Sequence, residues 1–154
     1  MRTKLTAIAA LAAAALTLIA ITSASSAPAK QRVAIQVKNG AGFVLTPLTS
    51  GAIKPDTGTA AFCCWTQRPI MRHGQAIEIN NPQMTLTGKQ GTLVARNQIG
   101  WIDVGDGLAV FTGTWKVISG TGAYAGLAGG GRGAGVALAN GKTKSRFEGF
   151  VNSK

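Results

Sequence analysis

Carboxylates and histidine are the groups that most often carry acid–base catalysis, and this 154-residue chain has only five Asp and Glu residues. One of them, Asp56, begins an Asp-Thr-Gly triplet. In aspartic proteases this triplet supplies two carboxylates that share a proton and activate water. The protease triplet follows a hydrophobic strand, whereas Lys54 and Pro55 come before it here, and proline favours loop geometry. We therefore predict that Asp56 opens a turn and has no protease role.

Two glycine patterns are similar to phosphate-binding motifs. Gly120, Gly122 and Ala125 match the dinucleotide pattern G-x-G-x-x-A, which binds pyrophosphate at the start of a following helix. Half of residues 120–135 are glycine, which excludes that helix and instead predicts a tightly curved hairpin. The Gly-Lys-Thr sequence from Gly141 has no earlier glycine at the spacing of a phosphate-binding loop. We predict no nucleotide site and no cofactor.

The single histidine, His73, lies between Arg72 and Gly74, a sequence typical of an exposed turn. A hydrolytic triad would need this histidine, but the chain has no G-x-S-x-G sequence to support one. A zinc site needs about four ligands. We therefore predict neither a catalytic histidine nor a metal site.

The only cysteines, Cys63 and Cys64, are adjacent. Neighbouring Cα atoms lie about 3.8 Å apart, below the roughly 4.4–6.8 Å of ordinary disulfides. Three states remain open: a disulfide between the two neighbours, a bond to another chain, or two free thiols. Since neighbouring side chains on a strand point to opposite faces, we favour buried free thiols.

Two groups of residues are candidates for binding. Large aromatic side chains that could line a cavity are Trp65, Trp101 and Trp115, with packing in the core as the alternative. Basic side chains that share one face of the last predicted strand are Lys142, Lys144 and Arg146. They indicate a surface that contacts anions, or simply a solvated outer face. Glu78 and Asp103 alternate with apolar neighbours, so we expect both carboxylates to be exposed.

The N-terminus has the layout of a secretory signal. Arg2 and Lys4 precede an apolar stretch at residues 5–21, and small residues follow as far as Ala29. We predict a signal peptide at residues 1–29 and one domain at residues 30–154, in an exported protein that is secreted or periplasmic. Without Arg2 and Lys4, 14 basic and 5 acidic residues remain, a net charge of +9 that favours anionic surfaces.

The remainder of the chain reads as short strands separated by turns. Apolar residues alternate with polar ones from Arg32 to Lys38, and Asn39-Gly40 and Asn140-Gly141 are turn sequences. Residues 49–58 resemble a loop. The predicted strands cover residues 32–38, 43–46, 59–66, 75–80, 83–87, 91–97, 99–104, 108–119 with a break at Gly113, 133–139 and 143–151. This spacing predicts an all-β domain, a closed antiparallel barrel with a β-sandwich as the alternative.

Residues 113–131 read Gly-Thr-Trp-Lys-Val-Ile-Ser-Gly-Thr-Gly-Ala-Tyr-Ala-Gly-Leu-Ala-Gly-Gly-Gly, and residues 147–151 read Phe-Glu-Gly-Phe-Val. Together they resemble the C-terminal half of small exported bacterial proteins of the allene oxide cyclase-like and dirigent-like barrel group. The resemblance implies an eight-stranded antiparallel barrel with an apolar cavity, often trimeric. Plant relatives cyclise an oxylipin or direct the coupling of phenolic radicals, but no catalytic residue of either activity matches this chain.

These observations favour a non-catalytic exported barrel that binds a small apolar ligand or associates with the cell envelope. One alternative is a cyclase or isomerase acting on a lipid-like or phenolic substrate in the cavity. Another is a structural surface protein that works as an oligomer. The expected partners are a small apolar ligand, an anionic envelope surface and further copies of the chain, as a trimer or dimer. Nucleic acid and a transmembrane span in the mature chain are not expected.

Overall fold

The computed structural model describes residues 29–153, which form ten strands and one short 3₁₀ helix. The strands are β1 Gln31–Lys38, β2 Gly42–Pro47, β3 Asp56–Cys63, β4 Gln67–Arg72, β5 Gln75–Asn80, β6 Gln83–Gly88, β7 Gly91–Gly105, β8 Leu108–Gly120, β9 Leu127–Ala137 and β10 Thr143–Ser153; the helix is Gly122–Tyr124. The predicted signal peptide lies outside the described residues except for Ala29. The described part of the chain has no helix with the length and hydrophobicity needed to span a bilayer.

Eight of these strands close into an antiparallel barrel. Neighbours in the sheet follow the order β7, β6, β3, β2, β1, β10, β9 and β8, and β8 pairs again with β7 to complete the ring. The β4–β5 hairpin lies outside the ring, where residues 78–80 of β5 pair with residues 99–101 of β7. The prediction of an eight-stranded antiparallel barrel is confirmed, and the sandwich alternative is excluded.

The two longest strands are more continuous than predicted. β7 has 15 residues and β8 has 13, with no break near Gln98 or at Gly113. A Cβ on Gly113 would collide with the backbone of Gln98 and Ile99, so the missing side chain lets the two strands approach closely. β7 makes its last pair with β6 at Arg96, and its residues 99–101 pair with β5 instead, so the far half of β7 lies between β8 and the β4–β5 hairpin.

The start and end of β3 and the existence of β4 also differ from the prediction. β3 begins at Asp56, which was expected to open a turn, and it ends at Cys63. β4, which contains Pro69, was not among the predicted strands. Proline is tolerated there because β4 has a neighbour on one side only. The turn at His73 is confirmed: His73 is exposed, with φ 49°.

The glycine-rich segment is mostly a strand and not a tightly curved hairpin. β9 begins at Leu127, before the predicted start at residue 133. Gly131 pairs with Trp115, and Gly133 pairs with Phe147. A Cβ on Gly133 would overlap the Phe147 ring and one on Gly135 would overlap the Phe111 ring, so these two glycines make room for large aromatic side chains, whereas a Cβ on Gly131 would meet the backbone of β10.

The interior of the barrel is apolar. Val33, Ile35 and Val37 on β1 alternate inward as predicted and are fully buried. They pack with side chains from the other barrel strands, among them Phe43, Leu45, Met84, Leu86, Leu93, Ala95, Val117, Phe147 and Val151. Burial of this apolar surface supplies the main favourable term for folding.

The prediction of buried free thiols is wrong. Cys63 and Cys64 form a disulfide with each other, and both residues are exposed. Strand alternation does not apply to them because β3 ends at Cys63, and Cys64 has φ 59°, in the left-handed region. The disulfide therefore lies in the short link between β3 and β4.

Candidate ligand cavity

One end of the barrel is sealed around a buried carboxylate. Asp56 is 5% exposed and accepts four hydrogen bonds. The hydroxyl of Tyr124 donates to Oδ2 at 2.7 Å, and the backbone N–H of Gln90 donates to the same atom at 3.2 Å. The backbone N–H groups of Thr57 and Lys89 donate to Oδ1 at 2.8 and 3.1 Å. The carboxylate thus joins β3 to the β6–β7 turn and to the 3₁₀ helix.

These contacts set the protonation state of the pair. Burial raises the pKa of Asp56, but the Tyr124 hydroxyl and the three backbone N–H groups stabilise the anion and bring the pKa below its ordinary value. Burial also raises the pKa of Tyr124, and the neighbouring Asp56 carboxylate raises it further. Asp56 is therefore charged and Tyr124 neutral at pH 7. With its hydrogen bonds satisfied and no contact with the cavity described below, Asp56 acts as a structural anchor.

A buried glutamine completes this seal. The side-chain amide of Gln31, which is 4% exposed, donates to the carbonyl of Ile53 at 2.8 Å and to that of Thr49 at 3.1 Å. Its Oε1 accepts the N–H of Ile53 at 2.8 Å. The β2–β3 loop is thereby held against the first strand, and Ile53 is buried at this end of the barrel.

The other end of the barrel contains a cavity of 190 Å³. Its wall is almost entirely apolar, and no titratable side chain contributes to it among the described residues. The side chains that define its mouth and walls are Phe62, Trp65, Ile99, Trp101, Phe111 and Phe147. Trp101 packs on Phe111 with ring centroids 4.5 Å apart, and Trp65 stacks on Phe62 at 6.4 Å. Because Trp65 is 49% exposed, it marks the rim where the cavity meets solvent.

Two polar atoms in the residues that form the wall are buried without a hydrogen-bond partner. They are Asn97 Oδ1, on a residue that is 1% exposed, and Trp101 Nε1. Both residues lie on the inner face of β7, four positions apart, so Asn97 is the deeper and Trp101 the nearer to the mouth. Buried polar atoms in folded proteins are nearly always paired with protein groups or with ordered water, so this acceptor and this donor are the two groups beside the cavity that still need a partner.

The structure separates the three predicted tryptophans. Trp65 and Trp101 line the cavity. Trp115 is 3% exposed and belongs to the core, where its Nε1–H donates to the carbonyl of Glu148 at 3.2 Å. Asn97 was missed because the predicted strand stopped at this residue. It lies between the inward-facing Ala95 and Ile99, so strand alternation predicts that its polar side chain also points inward.

The charged candidates lie on two different surfaces. Lys144 and Arg146 are exposed on the outer face of β10, but Lys142 lies in the preceding turn, outside the strand. Glu78 and Asp103 are exposed, as predicted. Glu78 pairs with Trp101, however, so both acids are on the sheet face that carries this cavity residue.

The fold and the site together define a β-barrel that is sealed at one end and has an apolar cavity at the other. No known protein family matches the chain, and neither a curated protein nor a solved structure matches it. The resemblance to the allene oxide cyclase-like and dirigent-like barrel group therefore stays a prediction from residues 113–131 and 147–151.

Proposed function

We propose that this protein is an exported, non-catalytic barrel that binds a small apolar molecule with a hydrogen-bonding group. The observation that carries the proposal is the apolar cavity with the unpaired Asn97 Oδ1 and Trp101 Nε1 beside it. A hydroxyl could donate to the Asn97 oxygen, and an acceptor nearer the mouth could bind the Trp101 N–H. Pairing these buried atoms would favour such a ligand over a plain hydrocarbon.

The size and chemistry of the cavity support binding over catalysis. An apolar cavity of about 150 Å³ is large enough to bind benzene, so the 190 Å³ found here suits a ligand with one ring. General acid–base catalysis needs a titratable group within hydrogen-bond reach of the substrate. The wall supplies none, and the buried Asp56–Tyr124 pair is at the sealed end. This favours the binding role over the cyclase or isomerase alternative.

Benzyl alcohol is expected to bind in this cavity and to shift the indole N–H resonances of Trp65 and Trp101 more than that of Trp115. The measurement is an NMR titration of ¹⁵N-labelled protein. Ser145→Phe places a ring in the cavity and is expected to abolish these shifts, because Ser145 is part of the wall. Thr112→Phe, on the exposed outer face of β8, is the matched control and should bind like the unmodified protein. Uniform shifts in all three indoles, or binding by Ser145→Phe, would contradict the proposal.

The outer face favours envelope association as a second function. A groove of 270 Å³ on this face is lined by Lys38, Lys144 and Arg146, and the two lysines are cross-strand neighbours. Arg146 Nε contacts Glu148 at 2.6 Å, and Arg32 contacts the other carboxylate oxygen at 2.7 Å. Lys38 and Lys144 form no ion pair within residues 29–153. Like charges this close favour an anionic partner.

Reversing the two lysine charges tests this surface. Lys38→Glu with Lys144→Glu is expected to weaken binding to phosphatidylglycerol vesicles at least about tenfold, since each basic residue near an anionic membrane contributes roughly 1 kcal/mol. Cosedimentation at low ionic strength measures the effect. Arg68→Glu with Arg72→Glu changes the net charge equally on the β4–β5 hairpin and should have the smaller effect. Equal losses in the two variants would show that net charge alone governs binding.

A further inference from the structure

The Cys63–Cys64 disulfide lies at the mouth of the cavity. It is flanked in the chain by Phe62 and Trp65, which both line the cavity and stack on each other. Both cysteines are exposed, so a thiol in solution can reach the bond. The chain has no other cysteine, so a thiol has no other disulfide to reduce. The redox-active bond of this protein is therefore next to the part of the cavity wall that meets solvent.

The disulfide fixes the backbone at Cys64. Because it joins neighbouring residues, it closes a small ring that contains the peptide bond between them and the N–Cα bond of Cys64. Rotation about that N–Cα bond is φ, and the ring restricts it much as the proline ring restricts φ. The φ of Cys64 is 59°, in the left-handed region that residues with a Cβ rarely adopt. Reduction opens the ring and removes this restriction.

The chain is held on both sides of Cys64 and Trp65. On one side, the last residue of β3 pairs with β6. On the other, the carbonyl of Thr66 accepts the backbone N–H of Asn81 at 3.0 Å, and Thr66 Oγ1 accepts the side-chain amide of Asn81 at 3.2 Å. A change of φ at Cys64 is therefore taken up at Trp65. The Trp65 ring is half-exposed and stacks on Phe62, so it has room to leave this contact.

We infer that the Cys63–Cys64 disulfide is a redox switch for ligand binding: the oxidised form holds Trp65 in the cavity wall, and the reduced form releases it and weakens binding. The inference rests on the proposed binding function and adds its regulation. The reductant is a low-molecular-mass dithiol. The protein S–S bond breaks, an S–S bond forms within the dithiol, and the hydrogen atoms of its two thiols pass to the cysteine sulfurs. The reverse exchange with a low-molecular-mass disulfide closes the ring again.

The affinity for benzyl alcohol in the two redox states tests the inference. Reduction with dithiothreitol is expected to weaken binding about fivefold or more, because only molecules that keep Trp65 in place retain the full affinity. Cys63→Ser with Cys64→Ser should show the same loss and should not respond to dithiothreitol. NMR titrations of the Trp101 indole resonance give the affinities, since Trp101 lines the cavity but lies outside the β3–β4 link. Without ligand, reduction should shift the Trp65 indole resonance and leave that of the core residue Trp115 in place.

Trp65→Ala tests whether the disulfide acts through this side chain. The variant should bind benzyl alcohol more weakly in the oxidised form and should lose no further affinity on reduction, because two changes that act through one contact are not additive. Phe150→Ala is the matched control. Phe150 is an aromatic residue of similar exposure that does not line the cavity, so its variant should keep both the affinity and the redox response.

The outcomes separate the inference from the proposed function. If benzyl alcohol does not bind to the oxidised protein, the cavity proposal fails, and the inference fails with it. If benzyl alcohol binds equally to both redox states, or if Trp65→Ala keeps the full redox response, the inference alone is overturned. Loss of the native Trp115 resonance on reduction would show that the disulfide is a cross-link needed for folding, and this would also overturn the inference.

Discussion

Asp56→Asn is expected to lower the free energy of unfolding by about 3 kcal/mol at pH 7. The side-chain amide of asparagine would place N–H groups opposite donors that now hydrogen-bond to the carboxylate, so some of these donors would lose their acceptor. They include the Tyr124 hydroxyl and the Lys89 N–H. Each buried donor left without an acceptor costs roughly 1–3 kcal/mol, a large share of the about 5–15 kcal/mol that stabilises a typical domain. Urea denaturation measures the change. Asp103→Asn, at an exposed site, should change stability by less than about 0.5 kcal/mol.

The effect of Asp56→Asn should also depend on pH in one direction. Since the pKa of Asp56 is lowered in the folded state, its contribution is complete above the ordinary aspartate pKa and is lost as the pH falls through the lowered value. The stability difference between the unmodified protein and Asp56→Asn should therefore shrink from about pH 4 downwards. If the free energies of unfolding of the two proteins kept a constant difference from pH 7 down to the lowest pH at which both are folded, the carboxylate would have no such role.

Gly131→Ala is expected to destabilise the barrel by about 3 kcal/mol, at the upper end of the range for overpacking. A Cβ on Gly131 would collide with the Glu148 carbonyl and the Gly149 Cα on β10. These are backbone atoms, so the clash is relieved only if β9 and β10 separate, which would break the hydrogen bonds between them. Thermal unfolding measures the effect as a fall in Tm.

Gly42→Ala is the matched control for that substitution. Gly42 also lies in a barrel strand, but a Cβ there would have its nearest contact 3.9 Å away, at the Gly58 carbonyl oxygen. We expect no loss of stability, and a gain of up to about 1 kcal/mol, because alanine loses less conformational freedom on folding. Equal destabilisation by the two substitutions would mean that strand glycines act through backbone entropy and not through close approach of the strands.

The barrel could be predicted from the sequence because its signals are local. Alternation along β1 and the turn sequence at His73 both appear in the structure. The glycines of β9 could not be interpreted in the same way, because the need for glycine at these positions comes from residues on neighbouring strands. Gly133 is paired with Phe147, and Gly131 is paired with Trp115. β4 was missed because a proline stops a central strand but is tolerated in an edge strand, and the edge position depends on the tertiary fold.

The candidate site was predicted only in part, for a similar reason. Aromatic size alone predicted that Trp65 and Trp101 line a cavity, but it predicted the same for Trp115, which is a core residue. Asp56 was predicted to open a turn because Pro55 precedes it, and three of its four hydrogen-bond donors come from segments more than 30 positions away, which the local sequence does not show. The convergence of Glu78 with Trp101 depends on the pairing of β5 with β7, and neither local sequence specifies this register.

Within the described residues, β4 is the one strand that has a neighbour on a single side in the sheet order. It carries Arg68, Pro69 and Arg72, residue types that discourage another chain from adding a strand there. These residues oppose backbone pairing between the β4 edges of two copies of this protein. For the same reason, the β4 edge is a poor template for fibrillar aggregation, and the eight strands of the closed ring become templates only if the ring opens.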